Sequence, residues 1–453
     1  MKNEEETELN RKRLIIIGGD AAGMSAAAKA KRVDKDLEII VYEKGPYISY
    51  AQCGLPYYIS DVTKDKEKLI ARKPKDFEEK GIHVLINHEV IKVNEEEKSV
   101  TVRDQDQNIF EKKYDALLIA TGAEPKIPPI KGVNLQNVFT LKTIEDAENI
   151  KKIVKDKAIQ NVVLIGGGYI NVELMESMLL LGKKARIIQR PKTLLNIMDE
   201  EFGMMVHKEV EKHGGMVHTK ESLEEIIGVN QVEGIKTDKG EYPADLVIVA
   251  VGIRPATKFL EDTSLKMLKN GAIVVDGYGK TSIPDIYAAG DCGSVYHLIK
   301  KEDVYIALGT NANKQGRFTG GTIAGEKEKF PGTLGSAVVK VLDMTFAKTG
   351  ISEEEAKKMD IDYESITVKA PSHAGYYPNK KQIIIKLVYE KESKILLGAQ
   401  MAGEEGVAKR LDVFALAIDR KMTAKELGRV DFCYSPPYAT PWDAVHIAAN
   451  AVK

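Results

Sequence analysis

Cysteine is scarce in this chain, with three in 453 residues, at positions 53, 292 and 433. Three thiols do not build a disulfide framework, and these share no metal-ligand spacing, so no metal site is expected. The scarcity fits a reducing, cytoplasmic setting in which an isolated thiol stays reactive. An excess of charge of one sign is missing as well: 66 basic residues face 67 acidic ones. That balance argues against a nucleic-acid or membrane-surface partner and makes any electropositive ligand site a local one. No apolar run is long enough to span a bilayer. The opening MKNEEETELNRKR lacks the apolar stretch of a signal peptide, and residues 1–12 are expected to be a solvated tail outside the fold. Short repeats and low-complexity blocks are absent too.

What is present is a globular composition, 43% hydrophobic and 29% charged, at a length suited to two or three domains. The pattern predicts a strand over 14–17, a glycine turn at Gly18-Gly19, a helix over about 22–32 and a strand over 38–42 ending at Glu43, which is a β-α-β unit. A second copy starts at Asn161: strand, Gly166-Gly167-Gly168, a helix over 170–181, and a strand over 185–189. Two related segments, LLIATGAEP and LVIVAVGIRP, end at Pro125 and Pro255. Two nucleotide-fold openings point to two bound nucleotides. After Pro331 the texture changes to β-rich segments followed by the helical pattern VAKRLDVFALAIDR, which reads as a separate α+β domain.

A strand, a tight glycine turn and a helix start place backbone N–H groups and the positive helix end against a pyrophosphate. Gly18 and Gly23 occupy the first and third glycine positions of G-x-G-x-x-G, but Asp20 holds the second. A carboxylate there is unfavourable beside a pyrophosphate unless it turns away. Glu43, at a strand end twenty residues after Gly23, suits ribose hydroxyls. In the second turn Gly166 and Gly168 are in place, and Asn171 stands where the third glycine usually packs helix on strand, which implies slightly wider packing. The following strand ends Gln189-Arg190 without the acid that favours NADH, and Arg190 is suited to a 2′-phosphate.

Far downstream, TSIPDIYAAGDC carries Asp291, and SYAQCGLPYYIS carries Cys53 just after the first β-α-β unit. With GGGYI and the final SPPYATPWD, these segments resemble the pyridine nucleotide–disulfide oxidoreductases, in particular their single-cysteine branch of coenzyme A–disulfide reductases, persulfide or polysulfide reductases and NADH oxidases. The residues themselves argue for a redox thiol. Pro56 suits a first helical turn, and a thiol at a helix N-terminus is expected to have a lowered pKa. No second cysteine lies in this loop, so the oxidised form must be a mixed disulfide or a sulfenic acid. Cys292 and Cys433 lack such a context and read as structural.

The resemblance implies an α/β fold with two Rossmann-like dinucleotide-binding domains and a C-terminal α+β dimerisation domain. The implied division is an FAD-binding domain over 13–115 and 251–330, an NAD(P)H-binding domain with connecting strands over 116–250, and a dimerisation domain over 331–453. It further implies FAD and NAD(P)H as cofactors, with Asp291 on the flavin's ribityl chain and Tyr169 over the flavin. Coenzyme A is implied to bind Ser25, Lys29, Arg32, Ser49, Gln52 and Trp442, with Arg72 and Lys73 adding charge. Two tyrosines from the partner of a homodimer are implied to reach the mixed disulfide. The best motif match makes them Tyr376 and Tyr434, with Tyr377 and Tyr438 as neighbouring alternatives. In the peroxidase and oxidase branches a histidine sits in the first turn; here that position is Ala21, and His446 has no matching acid. The expected activity is therefore NAD(P)H-dependent reduction of coenzyme A disulfide, persulfide or polysulfide through Cys53. The alternatives are an NADH oxidase working through a Cys53 sulfenic acid, an NAD(P)H-dependent reductase of a small electron-carrier protein such as rubredoxin, which has no need of Cys53, and a non-catalytic NAD(H)-sensing flavoprotein.

Overall fold

A computed structural model describes residues 12–453, so the solvated tail expected over 1–12 lies almost wholly outside the described residues. The first parallel sheet runs in the order Ile286–Ala288, Ala116–Ile119, Arg13–Ile17, Glu38–Glu43, Ile82–Ile86. Its central strand is apolar on both faces, with Leu14, Ile15 and Ile16 fully buried, because helices cover one face and the small antiparallel sheet over residues 89–113 covers the other. Helix α1 (Ala21–Val33) follows that strand. A short helix, α2 (Leu55–Ile59), carries Pro56 in its first turn.

The second parallel sheet runs Met216–Thr219, Lys184–Gln189, Asn161–Ile165, Leu246–Val249, Val138–Phe139. Helix α3 (Tyr169–Leu180) follows its central strand. Between the two sheets, Ala123–Pro125 pairs antiparallel with Ile253–Pro255, so the two related segments seen in the sequence are the paired crossings between units. One boundary needs correction. Ala116–Ile119, assigned above to the second unit, pairs with Leu14–Ile17 in the first sheet, and the chain leaves that unit only after it. The reason is register: three consecutive buried residues, Leu117, Leu118 and Ile119, fill a slot closed on both faces.

Helix α4 (Gly309–Ile323) returns to the first unit and packs along α1. The helices are close enough that a Cβ on Gly316 would meet the Ala22 carbonyl oxygen at 2.1 Å, and one on Gly320 the Ala26 oxygen at 2.3 Å. The C-terminal unit is a five-stranded antiparallel sheet, order Ala337–Val341, Met344–Gly350, Leu396–Gly403, Gln382–Glu390, Tyr363–Pro371. Helix α5 (Val407–Asp419) lays Leu411, Phe414 and Ile418 into one apolar cluster with Ile383, Ile385 and Leu387 of the sheet.

Candidate active site

The two glycine turns are built alike. Gly18 has φ +107°, and a Cβ there would meet the Ala120 oxygen at 2.2 Å; Gly166 has φ +104° and would meet the Ala250 oxygen at 2.4 Å. Both positions therefore exclude other residues on sterics and on backbone conformation. In each turn the next backbone N–H is held by the last side chain of the neighbouring strand. Gly19 N–H donates to Glu43 Oε2 at 2.7 Å, and Gly167 N–H donates to Gln189 Oε1 at 2.9 Å. Gly23 admits no side chain, since a Cβ would come within 1.9 Å of the Gly18 oxygen. Its counterpart Asn171 is fully buried, and its Nδ2 donates to Ile165 O and Gly166 O, both at 2.8 Å. The amide lies between helix and turn and satisfies two carbonyls there. Gly168, at the start of α3, has nothing within 4 Å of a Cβ, which leaves the mouth of the second turn open.

Asp20 turns away from the first turn, as a carboxylate near a pyrophosphate must. Its Oδ1 accepts from Tyr50 N–H at 3.2 Å and its Oδ2 from Gln52 Nε2 at 2.8 Å. Burial pushes its carboxyl up to about 6, against the Tyr50 N–H, Lys142 and Gln52, which pull it down. Ser49 N–H also donates to the Gly19 oxygen at 3.0 Å. The segment before Cys53 is thus tied to the glycine turn at several points. Behind Cys53, Leu55, Tyr58 and Ile59 of α2 belong to the same apolar cluster as Val172 and Met175 of α3. Burying a Leu or Ile side chain stabilises by about 1.5–3 kcal/mol, so α2 is held firmly against the second unit.

Cys53 lies in a 3₁₀ turn, Gln52–Gly54, directly ahead of α2, and its residue surface is exposed. The lowered pKa expected from the helix N-terminus is not what the surroundings produce. The protein walls around the sulfur, followed by the charges of Glu173, Asp291 and Asp20, push the thiol up. A five-residue helix offers little dipole against three carboxylates. Cys292 is buried, with its sulfur 3.3 Å from Ile119 O, as a structural cysteine. Cys433, also read as structural, is exposed and lies next to Tyr434.

Asp291 reaches the first turn through topology. Its motif follows the strand Ile286–Ala288, and a Cβ on Gly290 (φ +83°) would meet the Ala22 Cβ at 2.8 Å. Burial pushes the Asp291 carboxyl up, and Lys142 pulls it down. Two residues not singled out in the sequence appear here. Lys142 Nζ donates to Gln52 Oε1 at 2.7 Å, and Glu173 Oε1 accepts from Tyr57 Oη–H at 3.4 Å. Burial pushes the Glu173 carboxyl up to about 7. The signal for Glu173 was its place four residues after Tyr169, on one face of α3. Tyr169 lines a cleft of about 880 Å³ with Pro191, Thr193, Asn196, Tyr305 and Leu308, beside the second glycine turn. Arg190 is exposed at the same strand end, whereas Gln189 is buried.

The residues implied for coenzyme A are placed unevenly. Arg32 is exposed on α1, but Lys29 Nζ is paired with Glu326 Oε1 at 2.6 Å, and Ser25 Oγ accepts from Asn313 Nδ2 at 2.9 Å. Gln52 is held between Asp20 and Lys142. Arg72 is exposed, and Lys73 pairs with Glu67 at 2.8 Å. On the C-terminal unit, Tyr376, Tyr377, Tyr434, Tyr438 and Trp442 are all exposed, and the Tyr376 and Tyr434 hydroxyls lie 2.8 Å apart.

Residues 12–316 match the family model for pyridine nucleotide-disulphide oxidoreductases, and residues 336–444 match the dimerisation domain of the same family. The chain belongs to the pyridine nucleotide-disulphide oxidoreductase family. Like that family, it is an oxidoreductase that uses FAD and NAD(P)H. It is similar to a protein of Methanocaldococcus jannaschii named NADH oxidase, 36% identical over 440 residues that cover 97% of this chain and 98% of that one. It is also similar to an NAD(P)H coenzyme A polysulfide/persulfide reductase of Pyrococcus horikoshii, 36% identical over 447 residues, 98% of this chain and 99% of that one. A coenzyme A disulfide reductase of Staphylococcus aureus is 31% identical over 444 residues, 97% of this chain and all of that one.

The residues present fit the family's flavin. The first turn keeps its tight backbone path only with glycine at 18 and 23, and among the described residues none donates a hydrogen bond to the half-buried Asp291 carboxylate. A polyhydroxyl chain supplies such donors. Among the described residues, no helix is long and apolar enough to cross a membrane.

Proposed function

We propose that this chain is an NAD(P)H-dependent reductase of coenzyme A disulfide, or of the related CoA persulfide or polysulfide, with Cys53 as its single redox thiol. The observation that carries this reading is the exposed Cys53 tied to the first glycine turn, with Cys292 enclosed in the core. A dithiol enzyme closes a disulfide on itself; one isolated thiol must pass through a mixed disulfide with its substrate. The Cys53 thiolate attacks one sulfur of CoA disulfide, forming Cys53–S–S–CoA and releasing one CoA thiolate, which takes a proton. Two electrons then break the mixed disulfide and return the Cys53 thiolate and a second CoA thiolate. FAD, when bound, relays those electrons from NAD(P)H.

In this reading Gly18, Gly23, Glu43 and Asp291 hold FAD, and Gly166, Gly168, Tyr169 and Arg190 hold the nicotinamide coenzyme. Ser25, Lys29, Arg32, Ser49 and Gln52 serve coenzyme A from the same chain; for Lys29 this requires exchange of its Glu326 partner. The Tyr376–Tyr434 pair and Trp442 are supplied by a second copy. A phenol with an ordinary pKa near ~10 is protonated at neutral pH. In the hydroxyl pair one O–H donates to the other, which leaves one proton directed outward for a departing thiolate. The relative named NADH oxidase favours a second reading, oxygen reduction through a Cys53 sulfenic acid. Against it stands the small apolar Ala21 at the start of α1, a position that offers oxygen no acid or base.

The test is anaerobic NAD(P)H oxidation with CoA disulfide, polysulfide and glutathione disulfide side by side, followed by oxygen alone. Cys53→Ser is expected to keep FAD and NAD(P)H-driven flavin bleaching while disulfide reduction falls by several orders of magnitude. Disulfide turnover within about tenfold of wild type in that variant sinks the mechanism, since that is only about 1.4 kcal/mol of barrier.

A further inference from the structure

The loop that follows the strand Lys184–Gln189 is held from two sides. On one side it is tied to the second glycine turn. Gln189 Oε1 accepts from Gly167 N–H at 2.9 Å, Gln189 Nε2 donates to Thr193 O at 3.3 Å, and Leu195 N–H donates to Gly167 O at 2.8 Å. Pro191, Thr193, Asn196, Ile197 and Met198 of this loop line the cleft together with Tyr169. Leu195 is buried at φ +47°, a left-handed backbone that leucine keeps only where its surroundings hold it. The glycine turn is one such hold, and the C-terminal sheet is the other.

Lys348, Gln400 and Lys386 lie side by side on three neighbouring strands of that sheet, and all three are buried. Lys348 Nζ donates to Ile197 O at 3.0 Å. Gln400 Oε1 accepts from Asp199 N–H at 2.8 Å, and its Nε2 donates to Asp199 Oδ2 at 2.6 Å. Asp199 stands at the N-cap position of the helix Glu200–Lys212, where a carboxylate ordinarily accepts from its own helix, but its side chain makes no such bond. It accepts instead from Glu353 N–H and Glu354 N–H of the C-terminal unit, both at 3.3 Å, and from Lys386 Nζ at 2.9 Å. The Gln400 amide grips both the backbone and the side chain of Asp199. Two such bonds fix orientation as well as distance.

We propose that Gln400 is a positioning residue for the nicotinamide coenzyme. Through Asp199 it holds residues 190–198 in the conformation that completes the coenzyme cleft, so the dimerisation domain takes part in binding NAD(P)H. The inference rests on placing the coenzyme at the second glycine turn and along this loop, and it makes no use of the disulfide substrate. Gln400 touches no reacting atom; its effect is carried by the loop.

The test is stopped-flow reduction of the FAD-loaded protein by NADH and by NADPH, without oxygen or disulfide. The rate of flavin bleaching against coenzyme concentration yields an apparent dissociation constant and a limiting rate. Gln400→Leu is similar in size but leaves the Asp199 N–H without its partner. It is expected to raise the apparent dissociation constant of both coenzymes by about fivefold or more, since a misplacement of about 1 Å costs up to about a hundredfold. The limiting rate, the FAD content and the Michaelis constant for CoA disulfide are expected to stay within about twofold of wild type, whereas general loosening would move all of them. Lys348→Met removes the hold on Ile197 and is expected to act in the same direction; it decides the matter if Gln400→Leu does not fold. Unchanged coenzyme dissociation constants, or FAD content and disulfide binding impaired as much as coenzyme binding, overturn the proposal. Gly168→Val tests the coenzyme's placement separately, because the turn has room for a side chain that would obstruct its mouth. Weakened coenzyme binding there with none in Gln400→Leu rejects the positioning role alone; no effect in either variant rejects the placement itself.

Discussion

Gln189 takes in the second turn the place that Glu43 takes in the first: each accepts from the second glycine's N–H. A neutral amide at that strand end removes the negative charge that would repel a 2′-phosphate, and Arg190 beside it is exposed and free to approach one. Arg190→Glu is therefore expected to raise the Michaelis constant for NADPH by about tenfold or more while changing that for NADH little, the loss of a charge-assisted bond to phosphate being about 1.5–3 kcal/mol. Steady-state kinetics with both coenzymes decides it; equal effects would place Arg190 away from the 2′ position. Much at this scale was legible because glycine turns leave a steric signature in the sequence. Asp20 was legible as an anomaly, and its resolution needed the fold: the carboxylate brackets Tyr50 and Gln52. Lys142 escaped notice because a lysine in a connector carries no pattern until Gln52 is brought against it, and the spacing of Glu173 from Tyr169 gained meaning only once Tyr57 was brought against it. The upward push on Cys53 was hidden for the same reason, because two of its three carboxylates come from segments more than a hundred residues away.

Helices α1 and α4 meet along Ala22 and Ala26 on one side and Gly316 and Gly320 on the other. The close approach fixes the start of α1, and with it the first glycine turn and the Asp291 motif, whose Gly290 also abuts Ala22. Gly316→Ala puts a methyl 2.1 Å from the Ala22 oxygen and forces the helices apart. Overpacking of this kind costs about 1–3 kcal/mol. The variant is expected to melt at a lower temperature and to release FAD more readily, both followed by flavin fluorescence; an unchanged melting curve would mean the helix pair yields without strain. The β-α-β units were readable from apolar strands and glycine turns. The two three-stranded meanders, Glu89–Lys113 and Leu223–Pro243, were not anticipated, because edge strands such as Ile109–Lys113 expose most of their residues and show no clean alternation. The edge strand Tyr363–Pro371 escaped because it is half-buried along most of its length and shows no clean alternation either.

The C-terminal sheet is docked on the second unit through a buried charge cluster. Lys386 Nζ lies 2.9 Å from Asp199, 2.6 Å from Glu353 and 2.5 Å from Glu201, and Gln400 Nε2 donates to Asp199 at 2.6 Å. Such a cluster contributes orientation more than stability, since desolvation offsets much of its Coulomb gain. That orientation sets where the exposed edge with Tyr376, Tyr434 and Trp442 faces. A separate α+β unit after residue 330 was legible from the change in texture, whereas its docking was not, because Asp199 and Lys386 are 187 residues apart and read singly as surface charges. So many exposed aromatics in one place is a costly arrangement for a monomer surface, and it fits a face covered by a second copy through the family's dimerisation domain. If the tyrosine pair serves the partner's Cys53, the defects complement. Cys53→Ser and the double variant Tyr376→Phe/Tyr434→Phe are each expected to be impaired as homodimers in disulfide reduction. In a mixture, each heterodimer pairs one wild-type Cys53 with one wild-type tyrosine pair across the interface and so holds one intact site. With random exchange about half of the dimers are mixed, so the mixture is expected to recover about a quarter of the wild-type activity per chain. Exchange is verified independently by native mass spectrometry of differently tagged copies. Mixed dimers without recovered activity would place thiol and tyrosines within one chain.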